Sequence, residues 1–308
     1  MKVIKTLDSS ELRRAPSIAL TMGVFDGVHV GHRKVIETVV SEARRMGGAS
    51  ALLTFHPHPR QVIGASSPLL MLASLERRIR LLDETGLDIC IVFPFDSEIA
   101  GEDASTFVDR RLLPMMRLRM VCVGPQFAFG ARKSGDVALL RKFGQIHGFA
   151  VKVVDGVTID GVAVSSTAIR DMVRNGDIES ASRFLGRPYT ICGAVVKGKA
   201  LGRELGIPTA NVSVEGVLLP PPGVYVARIR RGGQWYDGVL NVDFQGGVEV
   251  HIFSIQESLY GETLEIVVGK LLREERKFRN VEDLAAQMRC DIEIAKGIRH
   301  NNAVLGGE

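Results

Sequence analysis

The pattern of short apolar runs changes abruptly along the chain, and this change limits the folds that are open to it. Before residue 186, runs rich in Val, Ile and Leu alternate with longer stretches of helical character. The runs predict strands at 18–22, 51–55, 88–93, 120–123 and 150–154. The longer stretches predict helices at 32–46, 75–85, 104–118, 136–147 and 167–185. Strands that alternate with helices in this way form a parallel sheet covered on both faces.

The pattern changes at Gly186, Arg187 and Pro188, where a glycine and a proline interrupt the helical stretch. We therefore predict two domains, at residues 1–186 and 187–308. Beyond the boundary, β-rich runs follow one another without an intervening helix. They predict antiparallel strands closed into a small barrel or sandwich, at 189–196, 223–230, 234–241, 247–253 and 263–271. A terminal helix is expected after Asn280, with one apolar face made of Val281, Leu284, Met288, Ile292 and Ala295.

The composition excludes several classes of protein. Hydrophobic residues make up 45% and charged residues 24% of the chain, as in ordinary globular domains. The net charge of +4 is small and scattered, which disfavours a nucleic-acid groove, and no apolar run approaches the roughly 18 residues of a membrane span. The four cysteines show no metal-binding spacing, and the first residues lack the apolar core of a secretion signal. We expect a cytoplasmic protein that binds neither nucleic acid nor a membrane.

Histidines gather where the first two predicted strands end. The first strand runs into a segment with glycines at 23, 27 and 31 and with His29 and His32, where a helix is expected to begin. The second strand runs into His56 and His58, so four of the seven histidines follow these two strands. Ligands bind at this edge of a parallel sheet, and glycines before a helix N-terminus favour a phosphate group. We therefore expect imidazoles and backbone amides to surround a polyphosphate.

Two other interpretations of these histidines compete with a phosphate site. A single histidine in a turn is more often a hydrogen-bonded turn residue than a ligand. His29 and His32 could also ligate zinc together with Asp26. No cysteine is near them, however, and a glycine-rich turn suits an anion better than a rigid set of metal ligands.

A second glycine-rich segment follows the domain boundary. Residues 193–200 approach the GxxxxGK[ST] phosphate loop, but Ala200 lacks the hydroxyl that would hold magnesium and no helix pattern follows, so this match is misleading. Gly198 and Lys199 begin a glycine-rich basic segment that could close over phosphates, and Thr209 and Asn211 offer neutral oxygens to a hard cation. From the residues alone, a series of turns with a solvated basic face is an equally good interpretation.

Three motifs of the first half are Gly-x-Phe-Asp-Gly-x-His-x-Gly-His from Gly23 to His32, the segment from Gly124 to Gly130, and Ser165-Ser-Thr-Ala-Ile-Arg170. Together they resemble the motifs of bacterial bifunctional riboflavin kinase/FMN adenylyltransferases. The resemblance implies a Rossmann-like nucleotidyltransferase domain in which His29, His32 and Arg170 are catalytic. It implies that ATP is bound by Gly23, Phe25, Asp26, His29, His32, Ser165, Ser166, Thr167 and Arg170, and that flavin is bound by His58 and Phe127.

The second half continues the same resemblance. The segment from Gly198 to Asn211 is similar to the riboflavin kinase signature of the family. This implies a barrel of the riboflavin kinase type, with ATP contacts from Gly198, Lys199, Thr209 and Asn211 and a magnesium ion held by Thr209 and Asn211. Glu249 matches the family's general base for the riboflavin 5′-hydroxyl, although alternation alone predicts only an outward-facing carboxylate. Arg273 is implied to contact the flavin.

The resemblance as a whole implies an enzyme of FAD biosynthesis. Its ligands would be riboflavin, FMN, FAD and ATP, and its cofactor would be Mg²⁺. We expect the protein to be a monomer or a weak homo-oligomer. The chain departs from the family at Gln126, where Asp or Asn is usual, and in the seven residues 242–248, where the family has a longer loop. An alternative is therefore a protein with one active half, whose other half regulates or holds flavin. An RNA-binding module is a further alternative, which the 6% aromatic content disfavours.

Overall fold

The chain forms two compact units, one built from residues 1–69 and 75–165 and the other from residues 70–74 and 166–308. The computed structural model describes residues 1–7, 10–64, 69–198, 202, 205–255 and 257–301. Within these residues, no helix combines the length and the apolar character that a membrane crossing requires.

The first unit is built on a parallel sheet of six strands. The strands of the unit, including those outside this sheet, are β1 (Lys2–Ile4), β2 (Ile18–Met22), β3 (Ala49–His56), β4 (Ile89–Pro94), β5 (Leu118–Val123), β6 (Ala128–Phe129), β7 (Gly135–Asp136), β8 (Ala150–Val153), β9 (Thr158–Ile159) and β10 (Val162–Ala163). Its helices are α1 (Ser10–Arg14), α2 (Val30–Arg45), α3 (Pro59–Val62), α4 (Leu75–Asp83), α5 (Ser97–Gly101), α6 (Ala104–Thr106) and α7 (Val137–His147). The sheet has the order β1-β4-β3-β2-β5-β8, and β6–β7 and β9–β10 are small hairpins.

The strand order reverses direction beside β2, and this reversal locates the ligand-binding edge. From β2 the chain continues outward through β3 to β4, and it then returns to the other side of β2 with β5 and β8. Ligands in open α/β sheets bind at the carboxyl ends of the strands where such a reversal occurs. The loops that follow β2 and β5 therefore flank the expected crevice.

Helices cover both faces of this sheet, as predicted. On one face, Ile36 and Val40 of α2 and Leu81 of α4 pack against Leu52 and other strand residues. On the opposite face, Leu140 and Phe143 of α7 and a π-helical segment at Phe107–Leu112 pack against a second apolar cluster. Because both faces are covered, the central strands are largely apolar, and β2 is buried along its whole length.

One local prediction for this unit is wrong, and one strand of its sheet was not predicted. The helix expected at 104–118 consists only of α6 and the π-helical segment that ends at Leu112. Pro114 is the reason, because proline lacks a backbone N–H and disfavours helical geometry in the residue before it. Strand β1 was not predicted, since only three residues pair with β4 and so short a run gives no periodicity to detect.

The second unit is a closed antiparallel barrel with helices before and after it, which confirms the predicted architecture. Its helices are α8 (Ser166–Arg174), α9 (Ile178–Leu185) and α10 (Val281–Asn301). Its strands are β11 (Thr190–Val196), β12 (Ala210–Ser213), β13 (Gly223–Arg231), β14 (Gln234–Val242), β15 (Val248–Ile252) and β16 (Thr263–Glu274). The barrel has the order β11-β12-β15-β14-β13-β16.

The single helix predicted at 167–185 is broken into α8 and α9. Gly176, at a φ of 77°, turns the chain between them, and Asp177 caps α9 by accepting a hydrogen bond from the backbone N–H of Ser180 at 3.0 Å. Strand β12 was not predicted either, because its four residues sit inside a segment rich in glycine and proline. The signals that indicate a loop outweighed so short a strand.

The terminal helix begins as predicted, and of the predicted face Leu284, Met288, Ile292 and Ala295 are partly or fully buried. The Oδ1 atom of Asn280 accepts a hydrogen bond from the backbone N–H of Asp283 at 2.7 Å, which is an N-cap. The most buried residues of α10 are Ala285, Asp291 and Ala295, whereas Val281 is exposed. An aspartate in the buried stripe is the feature that apolar periodicity did not reveal.

The predicted boundary at Gly186 stays a prediction. Helices α8 and α9, which precede it, belong to the same compact unit as the barrel. A compact unit is defined by packing and a catalytic domain by its site, so this grouping does not decide which reaction the two helices serve.

We predict that Gly193→Ala destabilises the barrel and does not act through a phosphate loop. A Cβ atom at Gly193 would overlap the carbonyl oxygen of Ser213 on the neighbouring strand β12, whereas one at Gly297 on α10 would meet open space. The expected loss is roughly 1–3 kcal/mol of unfolding free energy, typical of an overpacked site. Thermal unfolding measures it, with Gly297→Ala as the matched control. Equal stability of the two variants would contradict the packing shown here.

Candidate functional site

The loop after β2 holds an unusual backbone conformation at the ligand-binding edge of the sheet. Phe25, Gly27 and Val28 have φ angles of 53°, 79° and 42°. A left-handed conformation suits the glycine, but it is rare for a β-branched residue such as Val28. Strain of this kind persists where surrounding contacts determine the loop, and it concentrates at ligand sites.

His29 ends this loop as the N-cap of α2. Its Nδ1 atom accepts a hydrogen bond from the backbone N–H of His32 at 3.2 Å. A neutral ring that accepts at Nδ1 carries its proton on Nε2, which makes Nε2 a hydrogen-bond donor. The first turn of α2 contains no acidic side chain, so the positive end of the helix dipole is not neutralised there. This arrangement suits a phosphate group.

The two histidines of the motif form a stacked pair. The ring centroids of His29 and His32 are 3.5 Å apart and the rings are nearly parallel, at 15°. Phe25 lies against the other side of His32, with ring centroids 5.0 Å apart. Gly31 allows this packing, because a Cβ atom there would lie 3.2 Å from Nδ1 of His29. Backbone contacts and ring packing therefore fix both imidazoles.

The geometry does not support a zinc site at these residues. Within the residues that the structure describes, no group of three or more His, Cys, Asp or Glu side chains could hold a metal ion. Nδ1 of His29 is already a helix cap, and parallel stacked rings do not converge on one ion. The donors present suit an anion instead.

The two residues expected to bind flavin have clear structural roles at this edge. The Nδ1 atom of His58 accepts from the backbone N–H of Arg60 at 3.0 Å and caps α3. Phe127, in the loop after β5, stacks on Phe129 with ring centroids 5.4 Å apart. Each side chain is half-buried, so each can also present one surface to a ligand. Gln126, where the chain departs from the family motif, is exposed.

The serine-threonine-arginine motif begins a helix, as expected. Ser166 and Thr167 are the first residues of α8, and Ser165 directly precedes them. Arg170 is buried, and its Nε atom donates to the carbonyl oxygen of Leu70 at 3.0 Å. Its guanidinium is thereby oriented within the second unit.

Three polar side chains form a row on the outer surface of the barrel. Asn211 of β12 pairs with Glu249 of β15, which pairs in turn with Asn241 of β14. Residues directly opposite on neighbouring strands share a face, so the two amides flank the carboxylate. Among the described residues, none donates a hydrogen bond to Oδ1 of Asn241, although this atom is buried. A buried acceptor of this kind favours a hydroxyl or a metal-bound water as its partner.

Glycines of the segment before β12 lie directly against the predicted phosphate and metal ligands. A Cβ atom at Gly198 would overlap the side-chain amide of Asn211, and one at Gly202 would lie 2.8 Å from Oγ1 of Thr209. This close approach explains the glycines physically, because any side chain would displace the two ligands. Lys199, expected to contact ATP, lies outside the described residues.

A small cavity opens beside Thr209 and Asn211. Its volume is about 50 Å³, and its apolar lining includes Val195, Pro208, Val250, Ile252, Leu259 and Tyr260. The neighbouring ring of His251 is held by a 2.8 Å hydrogen bond between its Nδ1 atom and the carbonyl oxygen of Pro208. The lining also includes Thr209, Asn211, Glu257 and Ser258, so polar and apolar groups meet here, and the cavity is too small to enclose a nucleotide.

Arg273 uses several of its donors inside the protein. Its Nε atom lies 3.0 and 3.2 Å from the two carboxylate oxygens of Asp291 on α10, and its Nη2 atom lies 2.9 Å from Oδ2. Nη1 donates to the carbonyl oxygen of Glu274 at 3.1 Å, and the guanidinium carbon lies 5.5 Å from the ring centroid of Phe278. The arginine thus ties the terminal helix to β16, and only a part of it remains for a flavin contact.

Carboxylates accumulate near this ion pair. Burial raises the pKa of Glu275, the charges of Asp243, Glu249 and Asp291 raise it further, and Arg273 opposes the effect. Arg273 is therefore the cation that partly neutralises an acidic end of the barrel.

The short connection between β14 and β15 is a tight turn closed by Asp243. Its Oδ1 atom accepts from the backbone N–H groups of Gln245 and Gly247, both at 2.7 Å. Its own N–H donates to the carbonyl oxygen of Gly247 at 2.9 Å. Phe244 projects from this turn and is 66% exposed. The loop that departs from the family is therefore an ordered turn that presents one aromatic ring.

The sequence analysis missed two buried charged residues that contact these sites. Asp291 is the partner of Arg273, and Arg78 of α4 donates from Nη1 to the carbonyl oxygen of Val24 at 2.7 Å. A signal existed in each case, because both residues fall on the apolar stripe of their helix, Arg78 between Leu75 and Leu82. A charge at a core position of a helix calls for a partner.

Models of two protein families match the chain. The FAD synthetase model matches residues 12–168, and the riboflavin kinase model matches residues 185–299. A bifunctional riboflavin kinase/FMN adenylyltransferase from Haemophilus influenzae is 32% identical over 304 residues, which cover 96% of this chain and 98% of that protein. The protein of the same description from Bacillus subtilis is 32% identical and covers 88% of this chain and 89% of its own length.

A solved structure is similar over almost the same length. It is described as a macrolide-efflux protein from Streptococcus pneumoniae, and it matches with a TM-score of 0.82 and 27% sequence identity. The match covers 96% of this chain and 99% of that chain. Both the sequence and the fold of this chain are thus shared over their whole extent.

We predict that Asp291→Ala strongly destabilises the second unit. It leaves Arg273 without the carboxylate that compensates it, and removing one partner of a buried ion pair costs about 3–5 kcal/mol. Glu293→Ala on the same helix is the control, because its pair with Lys296 is exposed and should contribute less than about 1 kcal/mol. Chemical denaturation compares the two variants, and a similar small loss in both would contradict the structural role of Asp291.

Proposed function

The chain belongs to the family of bifunctional riboflavin kinase/FMN adenylyltransferases, and on this basis we propose which of its residues carry out the two reactions. The enzyme phosphorylates riboflavin to FMN and adenylylates FMN to FAD, using ATP for each step. The main support for these residue roles is that each family model matches a different fold, and each fold has its own polar site. These are the His29–His32 pair in the sheet and the row around Glu249 in the barrel.

We assign the adenylyltransferase to residues 1–186 and the kinase to residues 187–308. Helices α8 and α9 then belong functionally to the first domain, since Ser166, Thr167 and Arg170 begin or lie on α8. The contact of Arg170 with Leu70 supports its role as an ordered cation, because the bond fixes one side of the guanidinium.

In the kinase reaction, Glu249 accepts the proton of the riboflavin 5′-hydroxyl as the oxygen attacks the γ-phosphorus of ATP. Strand register places this carboxylate between the side chains of Asn211 and Asn241. Gly198 and Lys199 bind the phosphates of ATP. Positioning and a general base together account for the step.

A magnesium ion fits the residues around Thr209 and Asn211. The set offers a hydroxyl, an amide oxygen and a nearby carboxylate, all of them hard oxygen ligands, and the unpartnered Oδ1 of Asn241 could accept from a water of the ion. We propose that Thr209 and Asn211 hold the ion. When bound, it would neutralise negative charge on the phosphates of ATP.

In the adenylylation, the phosphate of FMN attacks the α-phosphorus of ATP and pyrophosphate leaves. The nucleophile is already an anion, so the site needs hydrogen-bond donors more than it needs a base. The backbone of Gly23, Phe25 and Asp26, together with the N-terminus of α2, receives the phosphates. His29, His32 and Arg170 donate to the charge that develops on the bridging and leaving oxygens.

The remaining assignments concern the flavin and the nucleotide. Ser165, Ser166 and Thr167 offer hydroxyls and amides to a phosphate at the start of α8. We assign His58 and Phe127 to the flavin of the first site. Arg273 stays a proposed flavin contact, although its pair with Asp291 leaves it few free donors.

The four cysteines support a reducing compartment. None of the four forms a disulfide, and burial raises the pKa of the Cys90 and Cys122 thiols to about 11, so both are unreactive. We therefore propose a cytoplasmic location, where thiols stay reduced, and a monomer or weak homo-oligomer.

One product assay tests the two activities. Riboflavin is incubated with ATP and Mg²⁺, and FMN and FAD are separated and measured over time. FMN should appear first and FAD should follow. Accumulation of FMN without FAD, or of FAD only from added FMN, would show that one half is inactive.

We predict that His32→Ala lowers FMN adenylylation about 10²–10³-fold, the loss typical of a preorganised donor. FMN formation from riboflavin should be unchanged, because the barrel holds that site. His147→Ala is the control, since His147 ends α7 before β8 and so lies at the opposite edge of the sheet. If both activities fell in a folded His32→Ala protein, the proposed separation of the sites would be wrong.

We predict that Glu249→Gln lowers the riboflavin kinase rate about 10²–10⁴-fold, the range expected for a general base. FAD formation from added FMN should continue at the normal rate. Glu179→Gln, on the exposed face of α9, serves as the control for loss of one carboxylate. An unchanged kinase rate would reduce Glu249 to a residue of the barrel surface.

A further inference from the structure

A buried guanidinium lies beneath the loop that carries the two stacked histidines. Arg78 of α4 is 3% exposed, and its Nη1 atom donates to the carbonyl oxygen of Val24 at 2.7 Å. The hydroxyl of Thr54, at the end of β3, donates to the same oxygen at 2.8 Å. Two side chains from separate elements therefore fix one carbonyl group of the loop.

The charge of Arg78 is compensated by the loop itself. Burial lowers the pKa of the Arg78 guanidinium, and the negative charge of Asp26 acts against this shift. Asp26 is also buried, at 2% exposure, and belongs to the loop. A buried cation is strongly disfavoured without a nearby anion, so the helix and the loop hold each other in place electrostatically.

The Val24 carbonyl lies directly before the part of the loop that has a left-handed backbone. Val24 directly precedes Phe25, the first residue with a left-handed backbone, and Val28 has the same handedness three residues later. The N–H of Val28 donates to the carbonyl oxygen of Phe25 at 3.2 Å, which closes the turn. Conformations of this kind relax unless neighbouring groups determine them. If the Val24 carbonyl were released, His29 and the start of α2 would be free to shift.

We propose that Arg78 is a positioning residue for FMN adenylylation, which sets the Gly23–His32 loop through the Val24 carbonyl and Asp26 without touching either substrate. The proposal rests on the adenylylation site proposed above. A displacement of about 1 Å at a reacting group can reduce a rate about 100-fold, so a residue beneath the loop can matter as much as one within it.

The test compares three substitutions on α4 in the full-length enzyme. Arg78→Met removes the charge and the donors and retains an unbranched apolar side chain, Arg78→Lys keeps the charge and one donor, and Arg80→Met changes an exposed arginine of the same helix. FAD formation from added FMN and ATP is measured beside FMN formation from riboflavin, and thermal unfolding is followed for each protein.

We expect Arg78→Met to lower kcat for FMN adenylylation about 10- to 100-fold, with the kinase rate unchanged. Arg78→Lys should restore kcat to within about threefold of the parent enzyme, because one donor and one charge suffice to hold the loop. Arg80→Met should behave as the parent. Normal adenylylation by a folded Arg78→Met protein would overturn the proposal, and so would an equal loss in Arg78→Lys.

A second variant covers the case in which Arg78→Met does not fold. Thr54→Val removes the other donor to the Val24 carbonyl at nearly constant volume, and it should lower kcat about 3- to 10-fold while the protein stays folded. An unchanged adenylylation rate in Thr54→Val would then overturn the proposal. A parent enzyme that makes FMN but no FAD would instead refute the proposed function, so the two failures are distinguishable.

Discussion

Hydrogen-bonded register between strands is the constraint on which both sites depend. In the first unit, parallel pairing of β2 with β3 and β5 brings the ends of three strands, far apart in the chain, to one edge of the sheet. In the barrel, antiparallel pairing of three strands places Asn211, Glu249 and Asn241 side by side. A shift of one residue in the register of the barrel would turn these three side chains to the opposite face. The position of the reacting side chains thus depends on backbone hydrogen bonds between strands, in which those side chains take no part.

Buried charged groups join the sites to the elements behind them. Arg273 and Asp291 tie the terminal helix to the last strand of the barrel, near a group of carboxylates that includes Glu249 and Glu275. Arg78 and Asp26 join α4 to the loop of the other site. A buried pair adds little net stability, because desolvation offsets the attraction. It does, however, favour one arrangement of the charged groups. A site that holds several phosphate oxygens at defined positions needs such a single arrangement.

Three physical causes explain why the following elements and residues were predicted wrongly or not at all. The strands β1 and β12 contain three and four residues, too few for an alternation to be counted, and both exist because neighbouring strands pair with them. The expected helix at 104–118 was extended past Pro114, and the one at 167–185 past Gly176, because the apolar periodicity continued through residues that break the backbone. Asp291 and Arg78 were missed since a charge within an apolar stripe is meaningful only with its partner, and each partner lies on a different element.

The sequence by itself determined the α/β and antiparallel β architecture, the order in which the two follow each other along the chain, and the motifs that indicate phosphate chemistry. Local backbone preferences, apolar periodicity and spacing carry all of this information. Only the tertiary structure decided that His29 and His32 stack, that glycines press against Thr209 and Asn211, and that a buried arginine supports the loop at Val24. These contacts join residues distant in the chain, and their geometry follows from how the elements pack.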